Sequence, residues 1–316
     1  GFYEDLEKFN LSVELTRITF PFLLFVSLSS FFAAILNSNN KFAAGAAAPI
    51  ILNIFLILSL FISYLLNLDF VSNLSYAVSL AGFFQLLFLI FFSKNYYYPS
   101  INFKIRISKK VKFFLKKLLP SIFSSGVTQI NILVGTIIAS FEAGAVSYLY
   151  YADRIYQINL AIAGIAVGTV ALPELAKTLK LGKTDEASKV QNKSIELCLL
   201  LSIPACFGLV IASEEITNAL FGYGSFSEED VRLTAQALKY FGYGVPGFAL
   251  IKVLSNFFFA RDNTKLPFYI SLFSVVLNVL ISLTFFKSFG FLIIPLATSI
   301  ATWAAVIVYL MLLLKY

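Results

Sequence analysis

Residues 147–168 read SYLYYADRIYQINLAIAGIAVG, an apolar stretch long enough to cross a bilayer that nevertheless sets Asp153 and Arg154 side by side. A charge near the middle of a membrane helix costs about 2.5–3.5 kcal/mol on insertion scales, so each of the two requires a partner or a task. Neighbours on a helix project about 100° apart and do not face one another, so they cannot neutralise each other in place. Arg154 shares a helical face with Tyr150, Gln157, Ala161 and Gly164, polar in its first half and small-residued in its second. That composition suits a cavity wall whose lower part closes against another helix. An arginine on such a wall presents a planar fork of donors that matches phosphate oxygens. The competing reading pairs Asp153 with a basic residue of a neighbouring helix and lets Arg154 snorkel to the interface.

Lys252, in ALIKVLSNFFF, is also deep in an apolar run and has no charged residue one turn away. It is either a second cationic contact for a ligand or the ion-pair partner of Asp153. Arg17, in LTRITFPF at the outer end of the first expected span, reads as a snorkelling residue. Asn53 and Asn278 can bond a coupling cation or join helices, and the second is the ordinary use of a buried amide. In FGYGSFSEED, Ser227 and Asp230 have the spacing of a capping box, and Pro173, in ALPELAK, is expected to end its helix.

The elements that must position these residues are membrane helices. The 316 residues are 59% hydrophobic and 13% charged, half the charge of an ordinary soluble domain. Apolar runs of helical length, without the alternation of a barrel, predict an all-α polytopic membrane protein of about nine spans. They are expected at 17–37, 43–66, 74–93, 114–141, 145–172, 194–213, 235–260, 266–287 and 291–314. The acid-free loop holding Lys94, Lys104, Arg106, Lys109, Lys110, Lys112, Lys116 and Lys117 is expected inside, with the loop of Lys177, Lys180, Lys183, Lys189 and Lys193. The first residue then lies outside and the last inside. The net charge of +7 follows from these loops, and nucleic acid is not an expected partner.

The chain has no histidine, no Walker-type loop, and two cysteines eight residues apart on one predicted helix, Cys198 and Cys206. Imidazole catalysis, histidine metal sites, direct nucleotide coupling and a disulfide are therefore not expected, and no cofactor is.

Laying residues 21–42 over residues 246–267 aligns Pro21 with Pro246, Asn37 with Asp262 and, further on, Asn53 with Asn278. Both copies would run in the same direction, as in a parallel transporter repeat. Residues 1–113 then read as three helices and a basic loop, the second half of an N-terminal lobe. Residues 114–316 read as a complete six-helix lobe.

YYADRIYQINLAIAGIAVGTVALPEL, VTQINILVGTIIASFEAGAVS, RITFPFLLFVSLSSFFAAILNSNNKFAAGAAAPIILNI and FGYGSFSEED resemble the MurJ/MviN family of lipid II flippases, and the likeness covers essentially the whole chain. That family lies in the multidrug, oligosaccharidyl-lipid and polysaccharide exporter superfamily, with two six-helix lobes and two further C-terminal helices. The resemblance places this chain from just before the family's fourth helix to its twelfth, without the first three and last two. Asp153 and Arg154 fall on the family's Asp-Arg motif in its eighth helix, where the arginine lines the central cavity. The implied substrate is lipid II, moved from the inner to the outer leaflet of the bacterial cytoplasmic membrane by alternating access. The implied partners are that lipid, membrane lipids and a coupling cation that the sequence does not name. No enzymatic step is implied. The family's first helices carry further essential arginines that are absent here, so these residues alone are not expected to flip lipid. Export of another polyprenyl-linked glycan or of a cationic drug is the alternative, with a non-transporting cell-wall scaffold as the other class.

Overall fold

The computed structural model describes residues 6–39, 41–97, 111–112, 115, 126, 129–261 and 263–313, and every described element is helical. Most of the basic loop around residues 98–110, both ends of the chain and Asp262 lie outside the described residues. The chain divides into two compact units, Gly1–Arg106 and Ile107–Tyr316.

The first unit contains α1 (Leu6–Thr19), α2 (Pro21–Ser38), α3 (Phe42–Leu66) and α4 (Phe70–Ser93). Pro21 sits in the first turn of α2, where its missing N–H costs nothing, so α1 and α2 form one apolar stretch interrupted only at Phe20. The stretch begins well before the expected residue 17. α3 ends on Asn67 in the left-handed conformation, and the Asp69 carboxylate then caps α4 by accepting from the Ser72 N–H at 2.8 Å. α4 packs on α2 through Gly82, where a Cβ would lie 2.6 Å from the Phe22 ring. The core is small: Phe32, Leu36, Ala48, Leu86 and Leu89. Ile54, Ile57, Phe61 and Leu65 of α3 are exposed, which suits a helix solvated by acyl chains.

The second unit contains α5 (Gln129–Ala139), α6 (Ala145–Leu160), a π-helical turn (Ala161–Ala166) leading into α7 (Val167–Lys180), and α8 (Thr184–Ile211). It continues with α9 (Ser213–Phe221), α10 (Glu228–Gly242), α11 (Val245–Phe259), α12 (Lys265–Phe289) and α13 (Ile293–Leu313). α11 is its axis. Leu250, Leu254, Phe257 and Phe258 of α11 meet Val167, Leu175, Cys198 and Tyr309, and Val245 joins Ala152, Ile155, Leu238, Phe241 and Ile294.

Among the described residues, six stretches are long and apolar enough to cross a membrane: Leu6–Ser38, Phe42–Leu66, Phe70–Ser93, Ala145–Lys180, Thr184–Ile211 and Lys265–Leu313. These stretches do not confirm the expected count of nine. The last stretch holds both α12 and α13, which fold back on each other at Gly290, whose φ of +59° favours glycine. The expected span at 235–260 is two helices, α10 and α11. Pro246 has no N–H to continue α10, and the carbonyls left open at its end are taken by α13: Ser299 Oγ donates to the Tyr240 carbonyl at 2.7 Å and Trp303 Nε1 to that of Tyr243 at 2.9 Å. Of the expected span at 114–141, only α5 is a described helix, 11 residues long by its bounds. Pro173 does not end its helix either. α7 runs through it to Lys180, as proline is tolerated inside a membrane helix whose neighbours are packed around it.

Within each unit the helices pair alike. α4 packs on α1, α2 and α3, and α13 packs on α10, α11 and α12. In the alignment of Pro21 with Pro246, Ile18 falls on Tyr243, and both carbonyls are bonded by the last helix of the set, the first from Ser79 of α4 and the second from Trp303 of α13.

Candidate functional site

The candidate site is built on α6. Gly144 starts the helix at φ +77°, and a Cβ there would meet the Tyr148 ring at 2.8 Å. The buried side of α6 is fixed at both ends. Tyr148 donates to Asp230 Oδ1 at 2.7 Å, tying the helix to the start of α10. Tyr156 stacks on Phe241 with centroids 4.7 Å apart and lies 5.2 Å from Phe248. Ala152 and Ile155 are buried between these anchors. This leaves Tyr150, Arg154 and Ile158 on the exposed edge, one helical turn apart.

The two charges have different surroundings. Asp153 is half-buried, accepts a hydrogen bond from Gln157 Nε2, and lies beside the Tyr156 hydroxyl. Arg154 is exposed; its Nη2 donates to the Tyr150 hydroxyl at 2.9 Å, and its Cζ stands 4.6 Å over the Tyr150 ring. Among the described residues no carboxylate forms an ion pair with Arg154. The guanidinium therefore keeps donors available for a planar anion.

Asp153, Arg154, Tyr150 and Gln157 are thus brought together, whereas Lys252 is not. Lys252 is exposed on α11, and no ion pair joins it to Asp153. The register of α11 against α6 and α7 is set by two glycines. A Cβ on Gly164 would lie 2.9 Å from Ala249 Cα, and Asn256 Nδ2 donates to the Gly168 carbonyl at 2.9 Å. Both helical segments advance in the same direction through these contacts. Arg154 precedes Gly164 by 10 residues and Lys252 follows Ala249 by three, so at about 1.5 Å per residue the two cations lie roughly 20 Å apart along the helix pair.

Tyr156 and Asn256 were not singled out by the sequence. Tyr156 lies three residues from Asp153, a spacing that puts it within reach of the carboxylate on a helix, whereas Asn256 becomes visible only through its contact with Gly168. Asn278 joins helices: its Nδ2 donates to Thr298 Oγ1 at 2.8 Å and its Oδ1 accepts from Ser282 at 3.2 Å. Ser227 and Asp230 form the expected capping box at the end of α10 that meets Tyr148. Hydrogen bonds from Ser227 and Tyr148 hold the Asp230 carboxyl below the ordinary carboxylate range. Cys198 and Cys206 are both free thiols on α8.

The family model described as lipid II flippase MurJ matches residues 1–316. A probable lipid II flippase MurJ of Rickettsia prowazekii is 41% identical over 308 residues, covering 96% of this chain and 60% of that protein. The corresponding protein of Rhizobium tropici is 39% identical, with 96% and 57% covered. The chain therefore spans about 60% of the length of these curated relatives. A solved structure of lipid II flippase MurJ in an inward closed conformation superposes with a TM-score of 0.83 at 28% identity, over 96% of this chain and 63% of that one. An inward-facing multidrug resistance MATE family transporter of the MOP superfamily superposes at 0.81 with 15% identity, over 96% and 70%, a likeness of fold alone. On the family model's match from end to end, the chain belongs to the lipid II flippase MurJ family.

Proposed function

We propose that this chain is the part of a lipid II flippase that receives the diphosphate of the lipid-linked peptidoglycan precursor, carried from the inner to the outer leaflet of the bacterial cytoplasmic membrane. Residues 1–113 contribute half of the N-terminal lobe and residues 114–316 the C-terminal lobe, with the first residue outside. Rocking of the lobes exposes the site to each side in turn. The reaction is transport, and no bond of the substrate is made or broken.

The observation that carries the reading is the Arg154 guanidinium, which lies on a membrane-length helix without a carboxylate partner among the described residues. A cation left in that condition is costly unless an anionic ligand completes it. Arg154 is assigned to the phosphate oxygens, Tyr150 and Gln157 to the polar wall beside it, and Asp153 to holding that wall through Gln157. Lys252 is a further cationic contact. A coupling cation is part of the proposal, with no ligand set assigned.

Native mass spectrometry of the full-length protein tests this, with equal amounts of lipid II, a polyprenyl-diphosphate glycan lacking peptide, and a cationic dye. Preferential retention of lipid II that drops on Arg154→Ala supports the reading. Equal retention before and after the substitution removes Arg154 from the site. Preference for the peptide-free glycan or for the dye moves the protein to another branch of the exporters.

A further inference from the structure

We propose that Lys252 is a second anion-binding station for the substrate diphosphate, separate from that of Arg154 and roughly 20 Å further along the helix pair. The inference rests on the reading of the chain as a carrier of a diphosphate-linked lipid.

Lys252 is the eighth of the 15 residues of α11, so it is remote from either end of that helix. The residues one turn away are Phe248, Ala249, Ser255 and Asn256, none of them acidic. Its ammonium makes no hydrogen bond or ion pair among the described residues. The next two side chains, Val253 and Leu254, are fully buried, while Lys252 itself stays on the exposed edge. Asn256 explains this placement: by donating to the Gly168 carbonyl it holds α11 against α7, with the Lys252 backbone beside Gly168.

One diphosphate cannot touch both cations. Helical side chains lean toward the N-terminus of their helix, and the Arg154 head is bonded to Tyr150, one turn further from Lys252 than its own Cα. The exposed residues that follow Arg154 along its edge, Ile158 of α6 and Ala161 and Ile165 of the π-helical turn, have apolar side chains that offer an anion no alternative partner. Two unpaired cations at different depths give the headgroup two resting places, so that its charge is not left uncompensated in a low-dielectric passage. Their chemistry differs accordingly. Arginine grips two oxygens in a fixed plane, whereas lysine is a mobile point charge that is more readily left.

The test uses the full-length protein with Arg154→Gln, Lys252→Gln, Lys252→Arg and the double glutamine variant. Undecaprenyl diphosphate and lipid II are the probes for retention, and lipid II translocation is followed in proteoliposomes. Separate stations predict that either glutamine substitution lowers retention only about two- to threefold while the double lowers it about tenfold or more. Each single substitution slows translocation about tenfold or more, and Lys252→Arg restores it. A single shared site predicts instead that each substitution alone loses as much retention as the two together. That result, or unchanged translocation in Lys252→Gln, overturns the second station. Wild-type protein that retains neither probe contradicts the flippase reading itself, and the second station falls with it.

Discussion

The Arg154 guanidinium donates to the Tyr150 hydroxyl at 2.9 Å and stands 4.6 Å over the same ring, so one tyrosine a turn away supplies both an acceptor and a π face. Tyr150 is 55% exposed and holds the cation at the open edge of α6 without neutralising it. Tyr150→Phe keeps the ring and removes the acceptor, and is expected to change retention of a diphosphate lipid by less than about twofold. Tyr150→Ala removes both and is expected to weaken it about two- to threefold, no more than Arg154→Gln does. Titration of the two purified variants checks the order, and equal losses would show that the hydroxyl alone positions Arg154.

Packing at Gly164 sets the depth of Lys252 relative to Arg154. A Cβ there would lie 2.9 Å from Ala249 Cα, a backbone atom that cannot step aside. Gly164→Ala is expected to destabilise the second unit by about 1–3 kcal/mol, read as a lower melting temperature of the purified protein. Gly208→Ala, with nothing within 4 Å of its Cβ, is the contrasting substitution. It is expected to leave stability unchanged or raise it by about 0.5–1 kcal/mol through helix propensity.

The sequence shows the Asp153–Arg154 site more clearly than it shows the register around it. Two charges in an apolar run stand out because membrane insertion penalises them, and helical periodicity alone places Tyr150 and Gln157 on the Arg154 face. Helix spacing also indicates the Ser227–Asp230 box, which the structure contains. The break between α10 and α11 is hidden, because apolar residues continue across Tyr243 and Gly244 and the bonds that close α10 come from Ser299 and Trp303, far along the chain. The depth of Lys252 is hidden for the same reason. It follows from contacts of Gly164 and Gly168 with α11, and composition carries no record of them. Pro173 misleads because proline breaks a helix in water but is accommodated in a packed membrane helix.

Asp230 ties α10 to α6 and carries a dependence on pH. Ser227 Oγ donates to its Oδ2 and the Tyr148 hydroxyl to its Oδ1, each at 2.7 Å, and the carboxyl is held below its ordinary value of 3.8. A group with a depressed folded value contributes stability that is present above its unfolded value and lost as pH falls through the folded one. The difference in melting temperature between wild type and Asp230→Asn is therefore expected to be constant between about pH 5 and 7 and to shrink below about pH 4. Parallel curves across that range would remove the carboxylate from the tie.

Asn278 is buried and bonds Thr298 across α12 and α13. Asn278→Ala leaves the Ser282 and Thr298 hydroxyls short of a partner and is expected to cost about 0.6–2 kcal/mol. Thr298→Val removes the other side of the bond, so the double variant is expected to be less destabilised than the sum of the two single changes. Thermal unfolding of the three variants measures the coupling, and additive effects would contradict a direct bond.

The central claim is that Arg154 carries the diphosphate of a lipid across the membrane, and the most direct measurement is translocation itself. Full-length protein reconstituted in proteoliposomes is compared with Arg154→Lys and Arg154→Ala, following the appearance of fluorescent lipid II in the opposite leaflet. The account predicts transport by the wild type, loss of about tenfold or more with alanine, and only partial recovery with lysine, whose point charge does not replace a bidentate fork. Transport by Arg154→Ala at the wild-type rate would contradict it.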